Sequence, residues 1–388
     1  MRVIGSNRWR SLLLGTTGVV FALVLMETPV LLNLFDYRNV VEGWISYKSW
    51  DPELWVTHRP HSRLRGAERG GLFAQVIRIP SSDMRVYEWD LKYDHNGFRN
   101  AVDLRRADIV VTGSSFVEEM MIPDGQLLTT ILAQLQNAVV ANLGGSGYGP
   151  QQQLVALKRY GLPLEPRTVV WAFADFTDLR QALVVYYSQA HGQSSYFRTF
   201  FQRSFTRSAY ITLRNVAQKT IADLKDICDS AQRSTASRRY GIIQNSSGGV
   251  VKMYFLHPAH SFNGEDALAL EEARRVLADA YRRCIAQGAR LVIVFIPTQY
   301  RVFHTFARFP EESECRKWVL DDMPDRLGRT VESISSKIGY LDLTPTLVDA
   351  VEHGTIPYLT DDNHWSPEGH RIAAQAISKY LSEMDRPR

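Results

Sequence analysis

Four residues have the types and spacing for acyl chemistry: Ser115, Asp361, Asp362 and His364. Ser115 lies in Asp108-Ile109-Val110-Val111-Thr112-Gly113-Ser114-Ser115-Phe116-Val117-Glu118-Glu119. The β-branched run predicts a strand, Gly113 a sharp turn, and the acids after the serines a helix start. Ser115 therefore falls at the carboxyl end of a strand, where open α/β sheets place their sites. Its N–H points out of a helix start toward a would-be anion. A serine here also makes an ordinary helix cap. Near the other end runs Thr360-Asp361-Asp362-Asn363-His364-Trp365-Ser366-Pro367. An acid close before a histidine can fix the imidazole tautomer and stabilise the imidazolium, leaving the other ring nitrogen to take a serine proton. Such a pair in a polar loop is commonly just solvated, so the weight lies in the combination. Gly144-Gly145-Ser146-Gly147-Tyr148-Gly149 and Asp175-Phe176-Thr177-Asp178 end two further strand-like runs. In a parallel sheet all these loops leave by one edge.

The elements that must position these residues follow from periodicity. Strands are expected at Ile109 to Val111, Ala138 to Leu143, Arg167 to Phe173, Leu291 to Ile296 and Gly339 to Leu343. Helices are expected at Gln126 to Gln136, Gln151 to Tyr160, Asp266 to Gln287 and Ser366 to Met384, each with apolar residues at helical spacing. Alternating strands and helices predict an α/β fold, a three-layer α/β/α sandwich on a mainly parallel five-stranded sheet. The long interval at about 180–265 predicts a lid-like insertion. His304, His353 and His370 read as surface or structural residues, and Glu118-Glu119 as a solvated first turn, the alternative being that the pair places negative charge near the site. Gly144 to Gly149 lacks the spacing of a nucleotide loop.

The chain has 388 residues and a formal charge of +4, which gives no argument for nucleic acid. Cys228, Cys284 and Cys315 show no zinc-ligand spacing. Arg2, Arg8 and Arg10 precede the apolar stretch Leu12 to Leu34, broken by Glu27 and Pro29. That length and the flanking arginines predict one N-terminal transmembrane helix within 1–35, with a cytoplasmic stub and an extracytoplasmic main domain. The alternative is export after signal cleavage. Residues 36–106 read as a juxtamembrane lead-in that packs on the main domain at 107–388. Within it, Asn96-Gly97 marks a turn.

These stretches together resemble the SGNH/GDSL hydrolase superfamily, in its membrane-anchored branch of alginate O-acetyltransferase-like domains. Thr112 to Val117 is similar to the first block, with Ser114 in place of the usual aspartate and Ser115 at the nucleophile position. Asn142 to Gly149 is similar to the second block. Asp361 to Trp365 with Gly369-His370 is similar to the last. Tyr93 to Arg99, Phe295 to Thr298 and Leu341 to Pro345 also resemble stretches of that branch. The resemblance implies that His364 is the base and that Asp362, or alternatively Asp361, is the acid. It implies an oxyanion hole from the N–H groups of Ser115 and Gly147. Thr177 stands nearest the third-block asparagine, which this sequence lacks. It implies an esterase or acyltransferase acting on an acyl ester, an O-acetyl group of a carbohydrate, with no metal or organic cofactor. Possible partners are the membrane and an envelope polysaccharide machinery. The departures from the first and third blocks leave a second reading, a catalytically impaired binding or scaffold subunit of a polysaccharide system.

Overall fold

The computed structural model describes residues 5–32, 34–38, 48–71, 73–74, 76–190, 196–214, 217, 237–244 and 248–386. The chain divides into two compact units: 1–56 with 189–233, and 57–188 with 234–388. The larger holds a five-stranded sheet of β1 (Ile109–Gly113), β2 (Val140–Gly144), β3 (Thr168–Ala174), β4 (Arg290–Ile296) and β5 (Gly339–Asp342). All its pairings are parallel, and the order is β2-β1-β3-β4-β5. This is the sheet expected from the apolar runs. The chain starts in the interior, adds β2 on one side and then crosses to β3, so the topological switch lies beside β1.

Register sets the strand ends level. Gly113 of β1 stands opposite both Gly144 of β2 and Ala172 of β3, and Ala174 of β3 stands opposite Ile296 of β4. The loops that carry Ser115, Gly147 and Asp175 therefore leave from one edge. Both sheet faces are buried, which is why the strands are apolar throughout. Ile109, Val111, Val170, Val292 and Val294 pack with Leu132, Leu347, Ala373 and Ile377. Their alternates Val110, Val169, Leu291 and Ile293 are equally buried. Helices Leu128–Gln136 and Pro367–Met384 pack on each other. Helix Gly264–Ala286 contacts Pro150–Ala156, Met323–Ile334 and β4. Asn263 caps it with bonds from the N–H groups of Glu265 and Asp266.

Element ends moved by a few residues, each for a local reason. The first long helix starts at Leu128 because Asp124–Gln126 forms a 3₁₀ turn. The helix after β2 starts at Pro150 and passes into a π-helical turn over Leu157–Gly161. Within 57–106 the structure has an antiparallel pair, Arg63–Arg69 with Val86–Lys92. The interval 180–265 carries the end of helix Thr177–Ala190, helix Tyr196–Arg203, and an antiparallel pair, Tyr240–Gln244 with Val250–Tyr254. Cys228 lies outside the described residues. Cys284 and Cys315 are buried free thiols.

In the smaller unit, helix Gly5–Leu31 contains Leu13–Leu31, long and apolar enough to cross a membrane. Leu14, Val19, Phe21 and Val24 on it are exposed. Leu132, fully buried between its helix and the sheet, tests the packing. Leu132→Ala is expected to cost about 2–5 kcal/mol in urea unfolding without changing the far-UV spectrum of the folded chain.

Candidate active site

Ser115 opens the short helix Ser115–Glu118, with Ser114 in extended backbone before it. The Ser114 hydroxyl makes no capping bond, so the serine pair does not serve as an ordinary side-chain cap. The Ser115 hydroxyl lies 2.7 Å from Nε2 of His364. On the far side of the ring, Nδ1 of His364 is hydrogen-bonded to Oδ1 of Asp362. The same oxygen accepts the His364 N–H at 3.0 Å, a local turn that fixes acid and base together. An Nδ1–H donated to a carboxylate leaves Nε2 as the acceptor for the serine proton. The Phe116 ring lies 5.0 Å from the imidazole. Burial alone would lower the His364 pKa, but the negative charges of Asp362, Glu119 and Glu118 outweigh it and raise it to about 9.

The two adjacent aspartates have separate jobs. Asp361 accepts the Tyr87 hydroxyl, and its second oxygen takes the Arg85 N–H at 2.8 Å. It fastens the strand Val86–Lys92 to the loop, while Asp362 faces the histidine. Gly71 packs against Asp362 so closely that a methyl group there would overlap the carboxylate.

Gly147 has φ of +80° in the loop after β2. That loop is closed by Tyr148 N–H to Gly145 O at 3.0 Å and tied to β1 by Gly145 N–H to Gly113 O at 3.2 Å. Among the described residues, the N–H groups of Ser115 and Gly147 have no protein acceptor. Thr177 opens helix Thr177–Ala190, just after Phe176 with φ of +63°. Neither Gly147 nor Thr177 is hydrogen-bonded to Ser115, His364 or Asp362. The acids flanking Thr177 are otherwise engaged. Asp175 pairs with Arg301 at 2.9 Å, and Arg301 also holds Asp321 at 2.6 Å. Asp178 accepts the Ala174 N–H and the Gln153 amide, each at 3.1 Å, and burial raises its pKa to about 8.

The expectation of a solvated Glu118-Glu119 turn is overturned. Both side chains are buried, Glu118 under His58 and Tyr93, and Glu119 with His370 3.8 Å away. Glu118 accepts bonds from Nε2 of His58 at 2.7 Å, the Tyr93 hydroxyl at 2.9 Å and the Ser146 N–H at 2.5 Å. Burial opposes its charge, yet these partners hold its pKa at about 2. Glu118 thus ties the lead-in to the Gly145–Gly147 loop. His370 is buried and structural, accepting the Leu128 N–H at 3.1 Å. His257 was not anticipated either. Its Nε2 lies 3.3 Å from the Asn363 amide, and its ring is 4.6 Å from Phe176. Burial and the charge of His364 lower its pKa to about 4, so it is neutral at pH 7. Phe176 and His257 line two cavities, of about 340 and 990 Å³. Phe73, 6.4 Å from the His364 ring, and Arg78, Arg238 and Arg239 line the larger. No sequence pattern marks Gly71, His58, Glu118 or His257, since each meets the site only through the fold.

Two substitutions probe this shell. Glu118→Ala leaves the buried His58 and Tyr93 donors and the half-buried Ser146 N–H unpaired and is expected to cost roughly 2–5 kcal/mol in urea unfolding. Gly71→Ala is expected to keep the fold but displace Asp362; a lowered rate of serine labelling by a fluorophosphonate, read against an unchanged near-UV spectrum, checks it.

Residues 252–387 match the model of a family described as the SGNH hydrolase-like domain of acetyltransferase AlgX. No curated protein matches. Solved structures similar to the chain include a lipolytic protein of the G-D-S-L family from Desulfitobacterium hafniense, at 13% identity and TM-score 0.35, covering 70% of this chain and 98% of that one. A GDSL-like lipase from Bacteroides thetaiotaomicron is 13% identical with TM-score 0.34, over 72% of this chain and 89% of that one. An acetyl xylan esterase from the rumen bacterium Butyrivibrio proteoclasticus is 11% identical with TM-score 0.35, over 78% and 74%. The family match falls on the stretch that carries Asp362 and His364, and the resemblance to the SGNH hydrolase superfamily, in its AlgX acetyltransferase-like branch, stands.

Proposed function

We propose that the protein is a serine esterase or acyltransferase that uses Ser115, His364 and Asp362 as a triad. The observation that carries this reading is the unbroken line of hydrogen bonds from Ser115 Oγ through His364 to Asp362. His364 takes the Ser115 proton as the hydroxyl attacks an acyl carbonyl, and Asp362 stabilises the imidazolium. The N–H groups of Ser115 and Gly147, with the Thr177 hydroxyl, are proposed to receive the oxyanion. The proton returns to the departing alcohol, and the acyl-enzyme passes its acyl group to water or to a sugar hydroxyl. The match to an acetyltransferase domain supports an O-acetyl group on a carbohydrate, in the setting of an envelope polysaccharide. Helix Gly5–Leu31 supports a membrane anchor, and Arg2, Arg8 and Arg10 before it support a periplasmic catalytic domain. Export with cleavage of that segment is the alternative.

A second reading has its own support. The third block offers no asparagine, and Asp175 is committed to Arg301. A scaffold subunit that binds polysaccharide without turnover fits that loss of a donor. The two readings part in one experiment, in which purified protein is treated with a fluorophosphonate probe and assayed on p-nitrophenyl acetate. Labelling and turnover that vanish in Ser115→Ala support the enzyme; absence of both in the wild type, with polysaccharide bound, supports the scaffold. Asp362→Asn is expected to lower kcat/KM on the order of 10³–10⁴-fold, and Asp361→Asn by less than about tenfold. A base with a raised pKa is protonated, and inactive, at lower pH. The acid limb of kcat/KM is thus expected above the ordinary histidine value of about 6.5, moving to lower pH in Asp362→Asn.

A further inference from the structure

An acidic residue inside an apolar span needs an explanation, and the smaller unit supplies one. Glu27 lies in the last turn of helix Gly5–Leu31, within the apolar stretch Leu13–Leu31. A carboxylate facing lipid there would be costly. Instead Glu27 accepts the N–H groups of Phe205 and Thr206 at 3.1 and 2.8 Å and the Thr206 hydroxyl at 2.7 Å. These are the first residues of a helical stretch at 205–214, so Glu27 caps that helix from another part of the chain. Arg203, just before it, donates to Phe35 O at 3.0 Å and lies 3.5 Å from Asp36. Tyr37 packs edge-on against Phe205 at 5.3 Å. Ser204 and Ser208 are buried in this junction.

On the side away from buried Ser208, Tyr210 and Leu213 are uncovered, at 63% and 69% exposed, with Arg214 exposed beside them. Residues 205–214 carry two arginines and no acidic residue. The cap also fixes depth. Residue 27 lies four positions before the end of the helix, about 6 Å at 1.5 Å per residue. Helices that lie in a membrane interface bury their apolar face about 5–10 Å into the headgroup–acyl boundary, with basic residues toward the headgroups.

We propose that residues 205–214 form an interfacial helix whose occupant is the lipid headgroup–acyl boundary of the membrane that helix Gly5–Leu31 crosses, held at that depth by Glu27. Tyr210 and Leu213 enter the lipid, and Arg214 meets phosphate groups. The inference rests on the reading of helix Gly5–Leu31 as a membrane span.

The test uses the full chain in nanodiscs of phosphatidylcholine and phosphatidylglycerol. In a Cys228→Ser background, an environment-sensitive fluorophore is attached at Leu213→Cys or, separately, at Val20→Cys. The Leu213 probe is expected to be quenched about twofold or more by lipid spin-labelled near the top of the acyl chain, and the Val20 probe by lipid labelled near its end. Adding Glu27→Leu is expected to abolish quenching at Leu213 and leave Val20 unchanged. A Leu213 probe quenched only by aqueous iodide, with Val20 still quenched by lipid, overturns the interfacial helix while the span stands. Both probes quenched only by iodide overturn the span and the proposal with it. Quenching at Leu213 that survives Glu27→Leu overturns the anchoring role of Glu27.

Discussion

The hydrogen bond between Ser115 and His364 is the constraint on which the larger unit turns. It joins the end of the first sheet strand to the loop before the last helix, so every element between must bring two distant loops to one edge. The parallel register does this by holding Gly113, Gly144 and Ala172 level. A slip of β1 by one residue would turn Ile109 and Val111 to the other face and carry Ser115 with them. Burial of both sheet faces resists that slip, so the packing of apolar residues far from the site determines where the serine hydroxyl points.

The loop before the last helix adds a second constraint through adjacent aspartates. Asp362 holds the imidazole, and Asp361 holds the strand that follows Arg85. Glu118 does similar work from the other side, joining His58 and Tyr93 to the Ser146 backbone. His58 and Tyr93 are thus built into the surroundings of the site. Electrostatically the arrangement is dense: Asp362, Glu118 and Glu119 raise the pKa of His364 against its burial, while the nearby His257 is held neutral.

The sheet was legible because its strands are continuous apolar runs buried on both faces, a pattern that depends on little but local composition. Ser115 and His364 were legible as candidates because their positions relative to strand and helix ends are local too. Spacing alone left Asp361 and Asp362 as alternatives. What separates them is Tyr87 and the Arg85 N–H, and no pattern in the sequence announces that contact. Glu118 was misread for the same reason. A carboxylate in a first helical turn is ordinarily solvated, and here His58 and Tyr93 cover it. Gly71 is a glycine because a residue far along the chain needs the space. Such requirements come from long-range packing, which one sequence does not display.

The order of the proposed triad along the chain has a consequence in time. Ser115 leaves the ribosome first, and the imidazole follows 249 residues later. At synthesis rates of about 5–20 residues per second, that gap is roughly 10–50 s. Throughout it the serine is an ordinary alcohol, because the loop with Asp362 and His364 is still unmade. On the proposed triad, reactivity would begin only after residue 364 has been made and placed, so a product that stops before it carries a nucleophile position that has no base.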